Sequence, residues 1–254
     1  MLQVITLLVV AGMIYYYSPA QQKARFVSEL VDRNIEARGG SEAWGEVNSL
    51  RLTGLMDVGQ GLYLPYILEQ QRPSDMCLEF VFDGDTTVQC TTGDQGWKIV
   101  PFRGRKTAQS LTESELREIS DSADLYGLLY NYKERGIVIE YQGNQTLSGQ
   151  ETYKLKINLP KGAVRWLYLD TETALEVKLE ALRKVGGKDR RVDTFYSDWK
   201  SVNDLLISHR QETQTEGDSS KHAITVQTAK INPLLPKMRF QKPKDSTTKS
   251  SANP

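Results

Sequence analysis

The sequence predicts a mainly β fold of the α+β class: a meandering antiparallel sheet or barrel with helices covering one open side. Three observations lead there. Apolar residues recur with a period of two along many short runs. Turn-forming residues separate those runs every ~8–12 residues, the spacing of consecutive antiparallel strands. Helical periodicity is confined to the N-terminal part and one central stretch. A length of 254 residues allows one domain of this kind.

The N-terminal element is an apolar run. Residues 4–17 are apolar apart from Thr6, and Ser18-Pro19-Ala20 follow. Small residues at 18 and 20 fit a signal-peptidase site before Gln21, and the run is shorter than the ~20 residues that comfortably span a bilayer. Against this, no Lys or Arg precedes the run, whereas Lys23 and Arg25 follow it, a distribution that suits an uncleaved anchor in the reverse orientation. A cleaved signal peptide or N-terminal anchor over residues 1–20 is therefore the expectation, with a buried strand as the third reading. No Cys ends the run, which argues against a lipid-modified N-terminus.

Residues 22–37 place Phe26, Val27, Leu30, Val31 and Ile35 on one helical side, and Arg38-Gly39-Gly40 ends that helix. Residues 41–44 suggest a short second helix. From Ser49 the period becomes two: Leu50, Leu52, Met56 and Val58 alternate with polar neighbours. Leu62, Leu64, Tyr66 and Leu68 form the next apolar face, then Met76, Leu78, Phe80 and Phe82.

Asp83-Gly84 between two β-favouring runs is a strong two-residue hairpin signal. Counting outward from that turn pairs Phe82 with Asp85 and Cys77 with Cys90, the only cysteines. They fall in a non-hydrogen-bonded register where side chains approach closely. A disulfide there would persist in an oxidising compartment. The alternative is two unpaired core cysteines, since register counted from a turn slips easily by one.

Strands through Val88 and over residues 97–100 follow. The β pattern then breaks. Thr112 and Glu115 form a capping box, and Leu111 with Leu116 a hydrophobic staple, which predicts a helix to about Ser122. Residues 125–132 read as a second helical piece. Strands resume at 137–141, 153–159, 164–169, 175–182, 192–198, 205–209 and 223–231. Turns at Ser148-Gly149, Pro160-Lys161-Gly162, Asp170-Thr171-Glu172-Thr173 and Gly186-Gly187-Lys188 separate several of them. Residues 21–243 thus form a single domain, and the Ser/Thr/Lys/Pro composition of 244–254 is disordered in character.

Charge and chemistry exclude more than they suggest. Lys+Arg and Asp+Glu are 32 each, so the basic excess expected of a nucleic-acid binder is lacking. His209 and His222 are the only histidines, and no cluster has metal-ligand spacing, so neither metal nor cofactor is expected. Neither a nucleophile elbow nor a phosphate-binding loop occurs. Glu69, Glu79, Glu140, Glu176 and Glu180 mostly alternate with apolar neighbours, as on solvated strand faces. A non-enzymatic protein is expected.

The positive signal is the apolar mass on the strands. Large residues such as Tyr66, Phe80, Trp97, Trp166 and Tyr168 exceed what a few helices readily cover, and open barrels of this kind hold apolar ligands. Strand parity proposes a lipid-binding set of Leu52, Met56, Leu64, Tyr66, Leu68, Leu78, Phe80, Phe82, Trp97, Leu155, Ile157, Trp166 and Leu179.

One run, Ala37-Arg38-Gly39-Gly40-Ser41-Glu42-Ala43-Trp44, then Val47 and Ser49-Leu50-Arg51-Leu52-Thr53-Gly54, resembles the start of the LolA/LolB-like outer-membrane lipoprotein-sorting family. Gly93-Asp94-Gln95-Gly96-Trp97, Pro101-Phe102, Tyr153-Lys154-Leu155-Lys156 and Trp166-Leu167-Tyr168-Leu169-Asp170-Thr171-Glu172-Thr173 extend the likeness over residues 37–243. The resemblance implies a half-open antiparallel β-barrel of about 11 strands with helices as a lid over an apolar cavity. It further implies a periplasmic location and binding of acyl chains or lipoproteins, in a carrier or chaperone role. The alternative within the same family is an envelope sensor that binds a protein partner and is tethered by its N-terminal segment. Membrane contact is expected to be transient or through that segment.

Overall fold

The computed structural model describes residues 18–243 except Gly186. Thirteen strands form one antiparallel sheet: β1 (Ser49–Asp57), β2 (Tyr63–Gln71), β3 (Asp75–Phe82), β4 (Asp85–Thr92), β5 (Gln95–Val100), β6 (Arg105–Ser110), β7 (Val138–Leu147), β8 (Gln150–Asn158), β9 (Val164–Asp170), β10 (Glu176–Val185), β11 (Lys188–Val202), β12 (Leu205–Thr215) and β13 (Lys221–Ile231). Their order is β6-β5-β4-β3-β2-β1-β13-β12-β11-β10-β9-β8-β7. Two meanders therefore meet where β1 pairs β13, and β6 and β7 are the two edges. The sheet is open, and its twist curls it into a half-barrel. The helices lie on its concave side.

The sheet has thirteen strands where about 11 were expected, and sequence reading missed β6. Its residues, Arg-Lys-Thr-Ala-Gln-Ser, carry no apolar alternation, and it forms as a polar edge against β5. Residues 125–132 are turns rather than the expected helix. Gly127 and Asn131 both adopt positive φ there (78° and 48°), which a helix cannot absorb. The apolar run over 4–17 and the tail over 244–254 lie outside the described residues. The expected cleavage point after Ala20 falls in the first turn of helix α1 (Pro19–Ala37), which Ser18 and Gln21 close as a capping box.

Three apolar clusters hold the fold. On the β7–β10 half, α1 presses Val27, Leu30 and Val31 onto Leu155, Ile157, Leu167, Leu169 and Leu179. Each such side chain contributes roughly 1.5–3 kcal/mol on burial. Across the seam, helix α2 (Ser41–Gly45) and the turns over residues 125–132 place Trp44 and Leu125 over Leu50, Leu52, Tyr66, Leu205, Ile207 and Val226. The third cluster lies on the convex side: Cys77, Cys90, Trp97, Leu235 and Phe240.

Two glycines make close approaches possible. A Cβ on Gly54 would stand 1.9 Å from Thr225 O, at the point where the β1–β13 register shifts. A Cβ on Gly96 would meet Leu111 at 2.6 Å and Leu116 at 3.0 Å. That absent side chain lets helix α3 (Glu113–Ala123) begin directly on β5.

Candidate functional site

The site is the concave face on the β1–β5 half. Register alone sorts its residues. Leu68, Leu78, Gln89 and Lys98 form one row across β2–β5, and Gly54, Tyr66, Phe80 and Thr87 form the next across β1–β4. Met56 and Leu64 pair one step nearer the β1–β2 turn. Over this face lies α3, which touches both β3 and β10 and so spans the trough.

Its attachment is specific. Thr112 caps α3 by accepting from Glu115 N, and Glu115 returns the bond to Thr112 N at 2.9 Å. The same carboxylate pairs with Lys98 Nζ on the sheet. Burial alone would raise the Glu115 pKa, but the hydrogen bonds from Lys98 and Thr112 outweigh it and hold it below its ordinary value.

Met56, Leu68, Leu78, Phe80 and Phe82 are only half-buried, although they belong to the apolar face. Phe82 meets Phe102 edge-on at 5.2 Å. Two hydroxyls flank Phe80 in its row. Tyr66 Oη and Thr87 Oγ1 are both buried and lack a hydrogen-bond partner among the described residues. Burial pushes the Tyr66 phenol far up, so it stays protonated and able to donate.

The thirteen residues proposed from strand parity divide into three groups. Met56, Leu64, Tyr66, Leu68, Leu78, Phe80 and Phe82 come together on this face. Leu52, Leu155, Ile157 and Leu179 also point to the concave side, but α1, α2 and their turns seal them into closed core. Trp97 and Trp166 lie on the opposite face. Trp97 pairs with Cys90 on the convex side, where its Nε1 donates to Phe240 O at 2.8 Å. Trp166 stands between Lys156 and Glu180, out of register with inward Leu155 and Leu167. Trp166 was misassigned because β9 carries large apolar residues on each face, Trp166 and Tyr168 alternating with Leu167 and Leu169, and Trp97 because the more apolar face of β5, with Trp97 and Ile99, is the convex one, while Gly96, Lys98 and Val100 face the trough. Cys77 and Cys90 are disulfide-bonded in the register counted from Asp83-Gly84.

Two features were not foreseen. A strap after β13 crosses the convex side, where Arg239 pairs with Glu69 at 2.5 Å and Glu79 at 2.7 Å. Beside it opens a charged cavity of 610 Å³ lined by Arg51, Glu69, Glu79, Lys230 and Arg239. A second, of 310 Å³, separates α1 from residues 129–134. Among the described residues no group of three or more His, Cys, Asp or Glu could hold a metal, and no helix is long and apolar enough to cross a membrane. His209 is buried with Nδ1 2.9 Å from Ile207 O, a structural position.

No family model and no curated protein matches the sequence. Solved structures do match the fold. A DUF1329 family protein from Desulfovibrio piger aligns with a TM-score of 0.59 at 13% identity, covering 85% of this chain and 97% of its own. A LolA superfamily protein from Nitrosomonas europaea gives 0.56 at 12% identity, with 85% and 97% covered. A domain from Vibrio parahaemolyticus assigned to outer-membrane lipoprotein sorting gives 0.55 at 13%, with 84% and 97% covered. At these identities the likeness is one of fold, and the fold of this chain is LolA-like.

Proposed function

We propose that this chain is a non-catalytic, carrier-like binder of acyl chains or lipoproteins in the bacterial periplasm, and that the ligand lies on the concave face beneath α3. Met56, Leu68, Leu78, Phe80 and Phe82 would contact the hydrocarbon. The Tyr66 and Thr87 hydroxyls would hydrogen-bond an ester or carboxylate oxygen. The observation that carries this reading is that pair of buried, unpartnered hydroxyls beside a half-buried Phe80. Each such group costs ~1–3 kcal/mol when left unsatisfied. A closed core has no use for two of them in one row; a ligand carrying an acceptor among apolar atoms removes both penalties. The LolA-like fold and the sorting assignment of the Vibrio domain support the same reading.

The test is native mass spectrometry of detergent-free protein from the periplasm, followed by titration with a fluorescent fatty acid. Retained phospholipid or acylated peptide, together with probe binding that Phe80→Asp abolishes, is the expected result. A bare polypeptide that binds no probe overturns the proposal.

A further inference from the structure

The convex side of β13, β1, β2 and β3 carries two adjacent rows of side chains that the acyl-chain reading does not use. Lys230, Arg51, Glu69 and Cys77 form one, and Thr228, Thr53, Ile67 and Glu79 form the next. All but Cys77, together with Arg239 of the strap, line the 610 Å³ cavity. That volume suits a small molecule, and charged walls set the kind of molecule it suits.

The charges are arranged around a buried carboxylate. Only 4% of the Glu69 side chain is accessible, a position that an ion holds only when it is paired. Arg51 Nε donates to Glu69 Oε1 at 2.6 Å, and Arg239 Nε donates to Oε2 at 2.5 Å. Arg51 Nη2 also lies on Glu69, and Arg239 Nη2 reaches Glu79 at 2.7 Å. These bonds engage Nε and Nη2 of each guanidinium. Nη1 of each, with two N–H donors, lacks a partner among the described residues.

Lys230 is not accounted for in this way. It stands directly opposite Arg51 across β13 and β1, where like charges destabilise a strand pair. Among the described residues it forms neither an ion pair nor a hydrogen bond. Three cations (Arg51, Lys230, Arg239) therefore face two carboxylates (Glu69, Glu79), and the one surplus positive charge lies at the β13 wall. In the next row Thr53 and Thr228 face each other, their hydroxyls likewise without partners among the described residues.

We infer that this convex cavity binds an oxyanion, the single carboxylate or phosphate group of a small molecule. The anion lies between Lys230 Nζ and Arg51 Nη1, and the Thr53 and Thr228 hydroxyls donate to its oxygens. It supplies the missing negative charge and relieves the repulsion between Arg51 and Lys230. Glu69 and Glu79 at the other wall repel further anionic groups, so polyanions are selected against. The site is on the opposite face of the sheet from the trough beneath α3 and does not depend on the acyl-chain reading.

Amide NMR titration of the isotope-labelled full-length chain with acetate and with inorganic phosphate, against chloride at equal ionic strength, tests it. Saturable shifts at Arg51, Thr53, Thr228 and Lys230 with either oxyanion, and not with chloride, are the expected result. Saturation by only one of the two supports the site and assigns its class. Lys230→Gln should weaken the affinity about tenfold or more, the worth of one charge-assisted hydrogen bond, and Thr53→Val about fivefold. Lys230→Gln should also raise the urea midpoint at low salt, because a like-charge contact is lost, and the gain should vanish at high salt. Weaker binding by a firmer fold is not what structural damage produces. The same variant should bind fluorescent fatty acid like the parent, so this inference and the carrier proposal can fail separately. Shifts that do not saturate, equal shifts with chloride, undiminished affinity of Lys230→Gln or a lowered urea midpoint each overturn the inference.

Discussion

Lys98 on the sheet and Glu115 on α3 form the ion pair that ties the helix to the trough it spans. Both groups are partly exposed, so the pair is worth on the order of 1 kcal/mol or less. A latch of that strength suits a lid that must open. We expect Lys98→Ala to speed entry of a fluorescent fatty acid by up to about fivefold with little change in melting temperature. The pH dependence has a definite sign. Glu115 is ionised more readily in the folded protein than its ordinary value of 4.5 implies, so its contribution is present above that pH and lost as the pH falls below it. Stopped-flow entry rates should therefore rise in acid, and Lys98→Ala should flatten the rise. A rate independent of pH and of Lys98 would show that α3 does not gate the face.

On the other side of the sheet, the disulfide is covered by the C-terminal strap rather than by a helix. Both cysteines are fully buried, and Cys77 Sγ lies 3.3 Å from Arg239 O. Closing a loop with a separation of 13 residues stabilises by ~3 kcal/mol on the chain-entropy model. Cys77→Ser with Cys90→Ser should lower unfolding free energy by about that amount in urea. Phe240→Ala removes a fully buried ring and should cost ~3–5 kcal/mol. It should also expose the bond, so that dithiothreitol reduces it several-fold faster under native conditions. Unchanged reduction kinetics would mean that the strap does not guard the disulfide.

What was legible in the sequence follows from how each element is held. The Asp83-Gly84 turn sets its register locally, so Cys77 and Cys90 could be paired by counting. The Thr112–Glu115 box likewise announces α3 from four residues. Parity failed in β9, where both faces are apolar, and in β5, where the more apolar face is the convex one. Nothing within β5 says that Trp97 looks away from the trough, because the group that covers it is Phe240, 143 residues away. Residues 125–132 look helical by composition, yet Arg135 donates to Gly127 O at 2.6 Å and Tyr130 O at 3.1 Å and satisfies carbonyls that a helix would have used. The paired hydroxyls of Tyr66 and Thr87 had no sequence signal at all. They become neighbours in a row only through the β2–β3 and β3–β4 registers.

Gly54 tests the seam between the two meanders. Its Cβ position is occupied by Thr225 O, a backbone atom that cannot rotate away. Gly54→Ala must therefore force β1 and β13 apart where they join the halves of the sheet. Overpacking of this kind costs typically 1–3 kcal/mol, and backbone against backbone belongs at the upper end, about 3. Chemical denaturation should show that loss. Gly61, with open space around it and φ of 75°, should lose less on the same change, since only conformational strain is involved.

Tyr66→Phe and Leu155→Ala should separate site from scaffold. Removing the Tyr66 hydroxyl abolishes a buried, unpartnered group, so the apo protein should gain stability, by roughly 1 kcal/mol or more. If that hydroxyl donates to a ligand oxygen, fatty-acid affinity should fall about five- to tenfold in the same variant, the worth of one lost hydrogen bond. A more stable protein that binds less well is hard to explain by damage to the fold. Leu155 is fully buried under α1, and its truncation should cost ~2–5 kcal/mol. Yet it should leave affinity for the probe within about twofold under conditions where the protein remains folded, because the ligand does not reach that core. Thermal melts and fluorescence titrations on the two variants read both quantities. Should Leu155→Ala weaken binding while Tyr66→Phe does not, the ligand lies under α1, and the trough beneath α3 is only packing.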